Sequence, residues 1–312
     1  MTNGLAFVFP GQGSQKVGML ADIAPLEAAV GQTFEEASDA LGYDLWDLAQ
    51  NGEQATLNLT ENTQPLLLTA SVAMWRVWQA RGGAMPAYMA GHSLGEFSAL
   101  VCAQSLPFPD AVKLVRARGQ FMQTAVPVGE GAMAAVLGLE DEVIVELCSK
   151  GISAGIVEAV NFNAPGQVVI AGHVAAVQQA ITLLKEAGAK RAMPLPVSAP
   201  FHTSLMQPAA EKLSAAIDAI AWRSPEIPVL HNVHGQAESD PAAIRALLVR
   251  QLYSPVKWVG CVNAMVAAGV TTVVECGPGR VLSGLNKRIH KPLKSLNIED
   301  SASLDAALAA AL

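Results

Sequence analysis

Apolar and polar positions along this chain follow two periods, and the switches between them mark out its elements. The run LAFVF is apolar on both faces and predicts a buried strand, ended by the turn PGQGSQ (10–15). Helical spacing follows near 30–42 and again over 65–81, where Leu67, Val72 and Trp75 lie. AYMAG (87–91) reads as a short strand, with GEFSALVCA (95–103) and PDAVKLVRARGQFMQTA (109–125) as helices behind it. Strand, crossover helix, strand predicts an α/β fold with a mostly parallel sheet covered on both faces.

The pattern changes near PVGEG (127–131). From there to 197 come AMAAVLGL (strand), DEVIVELCSK (helix), GIVEAVNF and QVVIAG (strands), VAAVQQAITLLKEAG (helix) and KRAMPLPVS (strand). This β-α-β-β-α-β order is that of a small ferredoxin-like subdomain. It reads as an insertion, 127–197, in a larger α/β domain made of 1–126 and 198–312. The larger unit resumes with a helix over 204–220 and is expected to end with the strand TTVVEC (271–276) and a terminal helix. No internal repeat or low-complexity segment interrupts it.

Composition narrows the class. Of the 312 residues 51% are hydrophobic and 15% charged, the balance of a globular protein. A net charge of −7 with no Lys/Arg-rich run argues against nucleic acid as a partner. Cys102, Cys148, Cys261 and Cys276 are scattered, forming neither a disulfide framework nor a zinc pattern, so a reducing cytoplasm is expected. MTNGLAFVFPGQG lacks the basic and long apolar regions of a signal peptide. The charge-free stretch 159–184 contains Asn, Gln, His and Pro, so no membrane span is expected there. No coiled-coil or long edge pattern argues for an oligomer, and a monomer is the expectation.

Gly91-His92-Ser93-Leu94-Gly95 fits G-x-S-x-G, with a strand before it and a helix after it. The physical sense of that pattern is a sharp turn holding the serine proud at a helix N-terminus, where negative charge is favoured. The bare pattern is weak, because Gly and Ser are common; its setting points to Ser93 as a nucleophile. A serine hydroxyl needs a base. Of six histidines, His92 adjoins Ser93, and neighbours on a tight turn point apart. His173 and His290 sit at helix ends, and His231 and His234 in LHNVHG lack a third metal ligand. His202, in a Pro-bounded loop between strand and helix, is the leading base. PGQGSQ fails as a dinucleotide fingerprint, since Lys16 stands at the third glycine position; it reads instead as a turn whose backbone N–H groups approach a ligand. Gly277-Pro278-Gly279 reads as a structural turn. Arg118 lies on the apolar stripe of helix 109–125, with Leu114, Val115 and Met122, while Lys113, Arg116 and Gln120 take the other face. A guanidinium facing inward must meet an anion. Structural pairing with an internal carboxylate and capture of a substrate carboxylate both satisfy that need, and the residues alone leave both open.

Taken together, FVFPGQGSQ (7–15), TQPLLLTA (63–70), AGHSLGEFSALV (90–101), RGQFMQ (118–123), NFNAPGQVVIAG (161–172), KRAMPLPVSAPFH (190–202), RQLYSPVKW (250–258) and ECGPG (275–279) resemble the malonyl-CoA:acyl carrier protein transacylases. The resemblance covers nearly the whole chain in order. It implies a hydrolase-like α/β domain with the ferredoxin-like insertion and the site between them. It also implies two-step transfer of malonyl, from coenzyme A to Ser93 and then to the phosphopantetheine thiol of acyl carrier protein, with no cofactor or metal. On that resemblance His202 is the general base, oriented by the backbone carbonyl of Gln251 where many hydrolases use a carboxylate. Gln12 and Leu94 would supply oxyanion-hole N–H groups, Arg118 would bind the malonyl carboxylate, and Gln64 would line the pocket. Phe201, bulky and aromatic before the base, goes in related domains with malonyl over branched malonyl units. Acyl carrier proteins are acidic, so Lys190 and Arg191, and the run LNKRIHKPLK (285–294), are candidate docking positions, each equally readable as solvated surface.

Three other readings remain at this level. A serine esterase or thioesterase would use Ser93 and His202 equally well but has no use for Arg118. A free-standing acyltransferase serving a polyketide synthase would run identical chemistry on another carrier. A silent interaction module would not need Ser93, His202, Arg118 and Gln251 together.

Overall fold

In the computed structural model, strand β1 (Leu5–Phe9) is buried along its whole length, as an all-apolar run demands. Residues 4–197 and 199–311 are described; position 198, where the larger unit was expected to resume, lies outside them, as do residues 1–3 and 312. Phe7 and Phe9 face one side of the strand, where Phe7 meets Trp75 and Trp78 edge-on at 5.1 Å. Ala6 and Val8 face the other, in a second core with Trp258.

After β1 come α1 (Ala28–Leu41), α2 (Leu45–Asn51), α3 (Gln54–Leu57), α4 (Thr60–Ala80), β2 (Tyr88–Gly91), α5 (Leu94–Cys102) and α6 (Phe108–Gln123). The next six are β3 (Gly131–Leu137), α7 (Asp141–Lys150), β4 (Val157–Ala164), β5 (Gln167–His173), α8 (Val174–Glu186) and β6 (Arg191–Pro194). The chain then forms α9 (Gln207–Asp218), β7 (Val229–Leu230), β8 (Ala237–Glu238), α10 (Pro241–Gln251), α11 (Trp258–Ala267), β9 (Thr272–Cys276), α12 (Val281–Ile289), β10 (Lys294–Ile298) and α13 (Ser301–Ala310).

The larger sheet has the order β10-β9-β1-β2-β7-β8 and is parallel except for the β7–β8 pair. The smaller sheet, β4-β5-β3-β6, is antiparallel throughout, which is the ferredoxin-like order expected of the insertion. Ala134, Val136 and Ile170 on one face of it pack with Ile144, Val177 and Leu184 of α7 and α8. Met133 and Val169 on its opposite face join the main core, so this sheet walls a cleft against the larger one.

Two expectations change. Helix α4 begins at Thr60, not 65, and carries Pro65 inside it; the missing proline N–H leaves one carbonyl of the partly exposed first turn without its intrahelical donor. The chain also does not close on β9 and one helix: α12, β10 and α13 follow, and β7, β8, α10 and α11 precede. Two-residue strands carry no readable period, and KSLNI opens on an exposed lysine and is only half-buried until its last residue. No helix among the described residues is long and apolar enough to cross a membrane.

Candidate active site

Strands β1 and β2 end side by side, and their carboxyl ends lie on the edge of the sheet outside which open parallel sheets bind ligands. The link from β2 to α5 is a turn that only small residues allow. A Cβ on Gly91 would lie 1.8 Å from the backbone of Gly95, and one on Gly95 would lie 2.0 Å from the Phe9 carbonyl oxygen. Gly95→Ala is therefore expected to destabilise the fold by about 3 kcal/mol or more, read by urea denaturation. Within this turn Ser93 adopts φ 52° and ψ −106°, a strained conformation for a residue with a Cβ. Asn232, just beyond β7, braces it: its Oδ1 accepts from the Ser93 N–H at 2.7 Å and its Nδ2 donates to the Gly91 carbonyl at 2.7 Å.

Ser93 Oγ lies 2.8 Å from His202 Nε2, and His202 Nδ1 lies 2.9 Å from the Gln251 carbonyl oxygen. A carbonyl only accepts, so Nδ1 carries the proton and Nε2 is left to accept the serine hydroxyl. His202 is 3% exposed. Burial, with the Arg118 cation nearby, holds its pKa down to about 3, so the ring is a neutral base at physiological pH.

Arg118 is 1% exposed, on the inward face of α6 as the periodicity predicts. Its partners are all uncharged: Gln64 Oε1 at 2.9 Å, Gln251 Oε1 at 2.8 Å and Ser93 Oγ at 3.1 Å. Its buried Nε has no hydrogen-bond partner among the described residues. Burial lowers its pKa to about 10, which leaves it a cation. No structural salt bridge takes up this charge among the described residues; the nearby Glu96 carboxylate is spent on three other donors, His231 Nδ1 at 2.7 Å, the Asn232 N–H at 2.9 Å and Gln251 Nε2 at 2.9 Å. A buried guanidinium with neutral partners and an open donor is equipped to receive an anion.

Ser93, Arg118 and His202 line a cavity of about 130 Å³, with Gln12, Gln64, Leu94 and Phe201 around it. Leu94 is the first residue of α5, so its N–H has no intrahelical partner. Lys190 and Arg191 are exposed and outside the cavity, at the far end of the strand that leads to Leu195 and Val197 in its wall. His92 also borders the cavity, its Nε2 2.8 Å from Asn163 Oδ1. His231 pairs with Glu96 as a buried structural group. No cluster of three or more potential metal ligands occurs among the described residues. The pattern missed Glu96 and Asn232. Glu96 had a signal, being the sole charge in a fully buried helix; Asn232 had none, because its contact with Ser93 spans 139 positions.

Residues 6–307 match the family model of the acyl transferase domain. The chain is 57% identical over 303 residues to the malonyl CoA-acyl carrier protein transacylase of Salmonella typhimurium, covering 97% of this chain and 98% of that protein. It is 46% identical over 305 residues to the Bacillus subtilis protein of the same name, covering 97% and 96%. An acyl carrier protein S-malonyltransferase from Vibrio cholerae superposes with a TM-score of 0.95 at 57% identity, covering 97% and 99%. A malonyl-transacylase solved in complex with its type II PKS acyl-carrier protein gives 0.97 at 54% identity, covering 98% and 99%. With the serine turn, the neutral histidine and the unneutralised arginine in one cleft, the chain belongs to the malonyl CoA-acyl carrier protein transacylases of the acyl transferase domain family.

Proposed function

We propose that this protein transfers malonyl from malonyl-CoA to the phosphopantetheine thiol of acyl carrier protein through a malonyl ester on Ser93, supplying fatty acid elongation. The observation that carries this reading is the buried Arg118, held beside the Ser93–His202 pair by uncharged partners. His202 Nε2 takes the Ser93 proton as Oγ attacks the thioester carbonyl. The Gln12 and Leu94 N–H groups receive the developing oxyanion, each worth about 10²–10³ in rate. Collapse breaks the C–S bond, and the proton on Nε2 passes to the departing coenzyme A sulfur. The carrier thiol then repeats the sequence in reverse roles and releases Ser93. Throughout, Arg118 pairs with the malonyl carboxylate, Gln64 fixes the guanidinium and Phe201 limits room for a branched acyl group. Gln251 holds the base through its carbonyl. Every group invoked belongs to the chain or its two substrates, so the reaction uses no cofactor.

In this reading residues 1–126 with 198–312 form the catalytic domain, and 127–197 the smaller subdomain that closes the cleft. The four buried free cysteines suit a cytoplasmic location. Lys190 and Arg191 mark a docking surface for the acidic carrier; four steps of extended chain, about 13 Å, separate Arg191 from Leu195 in the cavity wall. Reversing both charges is expected to raise the KM for holo acyl carrier protein about tenfold and to leave acylation by malonyl-CoA within about twofold. Equal loss of both half-reactions would remove the docking role.

The test of the whole reading is to mix the protein with malonyl-CoA, quench in acid, read the mass of the Ser93 peptide and chase with the carrier. A malonyl adduct that moves to the carrier is expected; loss to water instead would make the protein a hydrolase. The polyketide reading has one observation in its favour, the 54% identical transacylase held by its own type II PKS carrier. Competition between the two kinds of holo carrier for the malonylated enzyme separates them.

A pH dependence follows from His202. A base works while neutral, and a pKa lowered from the ordinary 6.5 keeps it neutral further into acid. Acylation measured by rapid quench is thus expected to stay level from pH 8 to about pH 5, where an unperturbed histidine would be largely protonated. A half-maximal rate near pH 6.5 would contradict this. Stability moves the other way: the unfolded chain takes up this proton below pH 6.5 while the folded one does not, so stability declines as pH falls from 6.5 towards 3.

A further inference from the structure

The loop that carries His202 is fastened from across the cleft. His202 has φ 66°, in the left-handed region, and a residue with a Cβ stays there only where its surroundings over-determine it. Some restraints are local: the Thr203 hydroxyl donates to the Pro200 carbonyl at 2.7 Å and the Phe201 N–H to the Ala199 carbonyl at 3.0 Å. The restraint just beyond His202 is not. Ser204 donates its N–H at 3.0 Å and its hydroxyl at 2.5 Å to the two carboxylate oxygens of Glu158, 46 positions earlier on β4. Hydrogen bonds to an ionised acceptor are about twice as strong as neutral ones.

Strand β4 is itself tied to the segment that follows Gln251. The Phe162 N–H donates to the Val256 carbonyl at 3.0 Å, and the Val256 N–H to the Val160 carbonyl at 2.8 Å. The contacts close a ring: Gln251 carbonyl, His202, Ser204, Glu158, β4, Val256 and back along the chain to Gln251.

We propose that Glu158 is a positioning residue, whose two-point grip on Ser204 holds His202 Nε2 against Ser93 Oγ. The inference rests on the reading of His202 as the base. It is tested by steady-state kinetics with malonyl-CoA and by the rate at which phenylmethylsulfonyl fluoride labels Ser93, a reaction that needs the base and no malonyl contact. Glu158→Ala and Ser204→Ala are each expected to lower kcat about ten- to a hundredfold, with KM within about twofold, and to slow labelling by the same factor. The double variant is expected to be no slower than the worse single one, because both remove one contact. A folded Glu158→Ala that labels at the parent rate overturns the proposal, as do additive losses. Should that variant not fold, Ser204→Ala decides alone, with unchanged labelling again overturning it. His202→Ala is run alongside. If it labels as fast as the parent, the base reading has failed; if it is slow and Glu158→Ala is not, only the grip has failed.

Discussion

Ser93→Ala is expected to leave no malonyl adduct after acid quench and to lower malonyl transfer by on the order of 10⁶, the scale seen when a serine protease loses its nucleophile. The size follows from the proposed mechanism, in which the ester through which both half-reactions pass cannot form without Ser93. The fold should survive: among the described residues Ser93 Oγ hydrogen-bonds only with His202 and Arg118, and the brace from Asn232 acts on the backbone N–H. A melting temperature close to the parent, with transfer gone, is the expected pair of results. A residual rate within tenfold of the parent would put the acyl group on another residue.

Arg118→Ala carries the second large effect. Removing one member of a buried ion pair costs about 3–5 kcal/mol, here the pair proposed with the malonyl carboxylate, which corresponds to on the order of 10²–10⁴ in kcat/KM. Acetyl has no carboxylate to leave unpaired, so acetyl transfer should be kept, or rise relative to malonyl. The measurement is the ratio of kcat/KM for malonyl-CoA and acetyl-CoA in parent and variant. An equal fall for both would make Arg118 a structural group whose loss distorts Gln251 and Ser93.

Arg118 also shows how far the sequence could be read. Helical period put it on the buried stripe of α6, and there it lies. The period could not say what it would meet, because Gln64 and Gln251 stand 54 and 133 positions away. Elements with a strong local pattern were legible: the two-sided apolar run of β1, the strand-turn-helix around Ser93, and the β-α-β-β-α-β order of the insertion. Elements held by tertiary pairing alone were not, β7 above all, two residues long yet the strand that delivers His231 and Asn232 to the serine turn. LHNVHG looks like a loop because most of it is one. Its work is done by His231 and Asn232, which follow a strand too short to show a period.

The acceptor on His202 Nδ1 belongs to the main chain. No codon change at position 251 can delete it, so an alanine scan would pass over this member of the proposed catalytic group in silence. What such a scan would report at Gln251 is the side chain, which joins Arg118 to Glu96. Loss of activity in Gln251→Ala would then be a lesion of acyl-group selection mistaken for one of proton transfer. The carbonyl is open instead to backbone chemistry: an ester in place of the amide after Gln251 weakens the carbonyl as an acceptor while leaving every side chain in place.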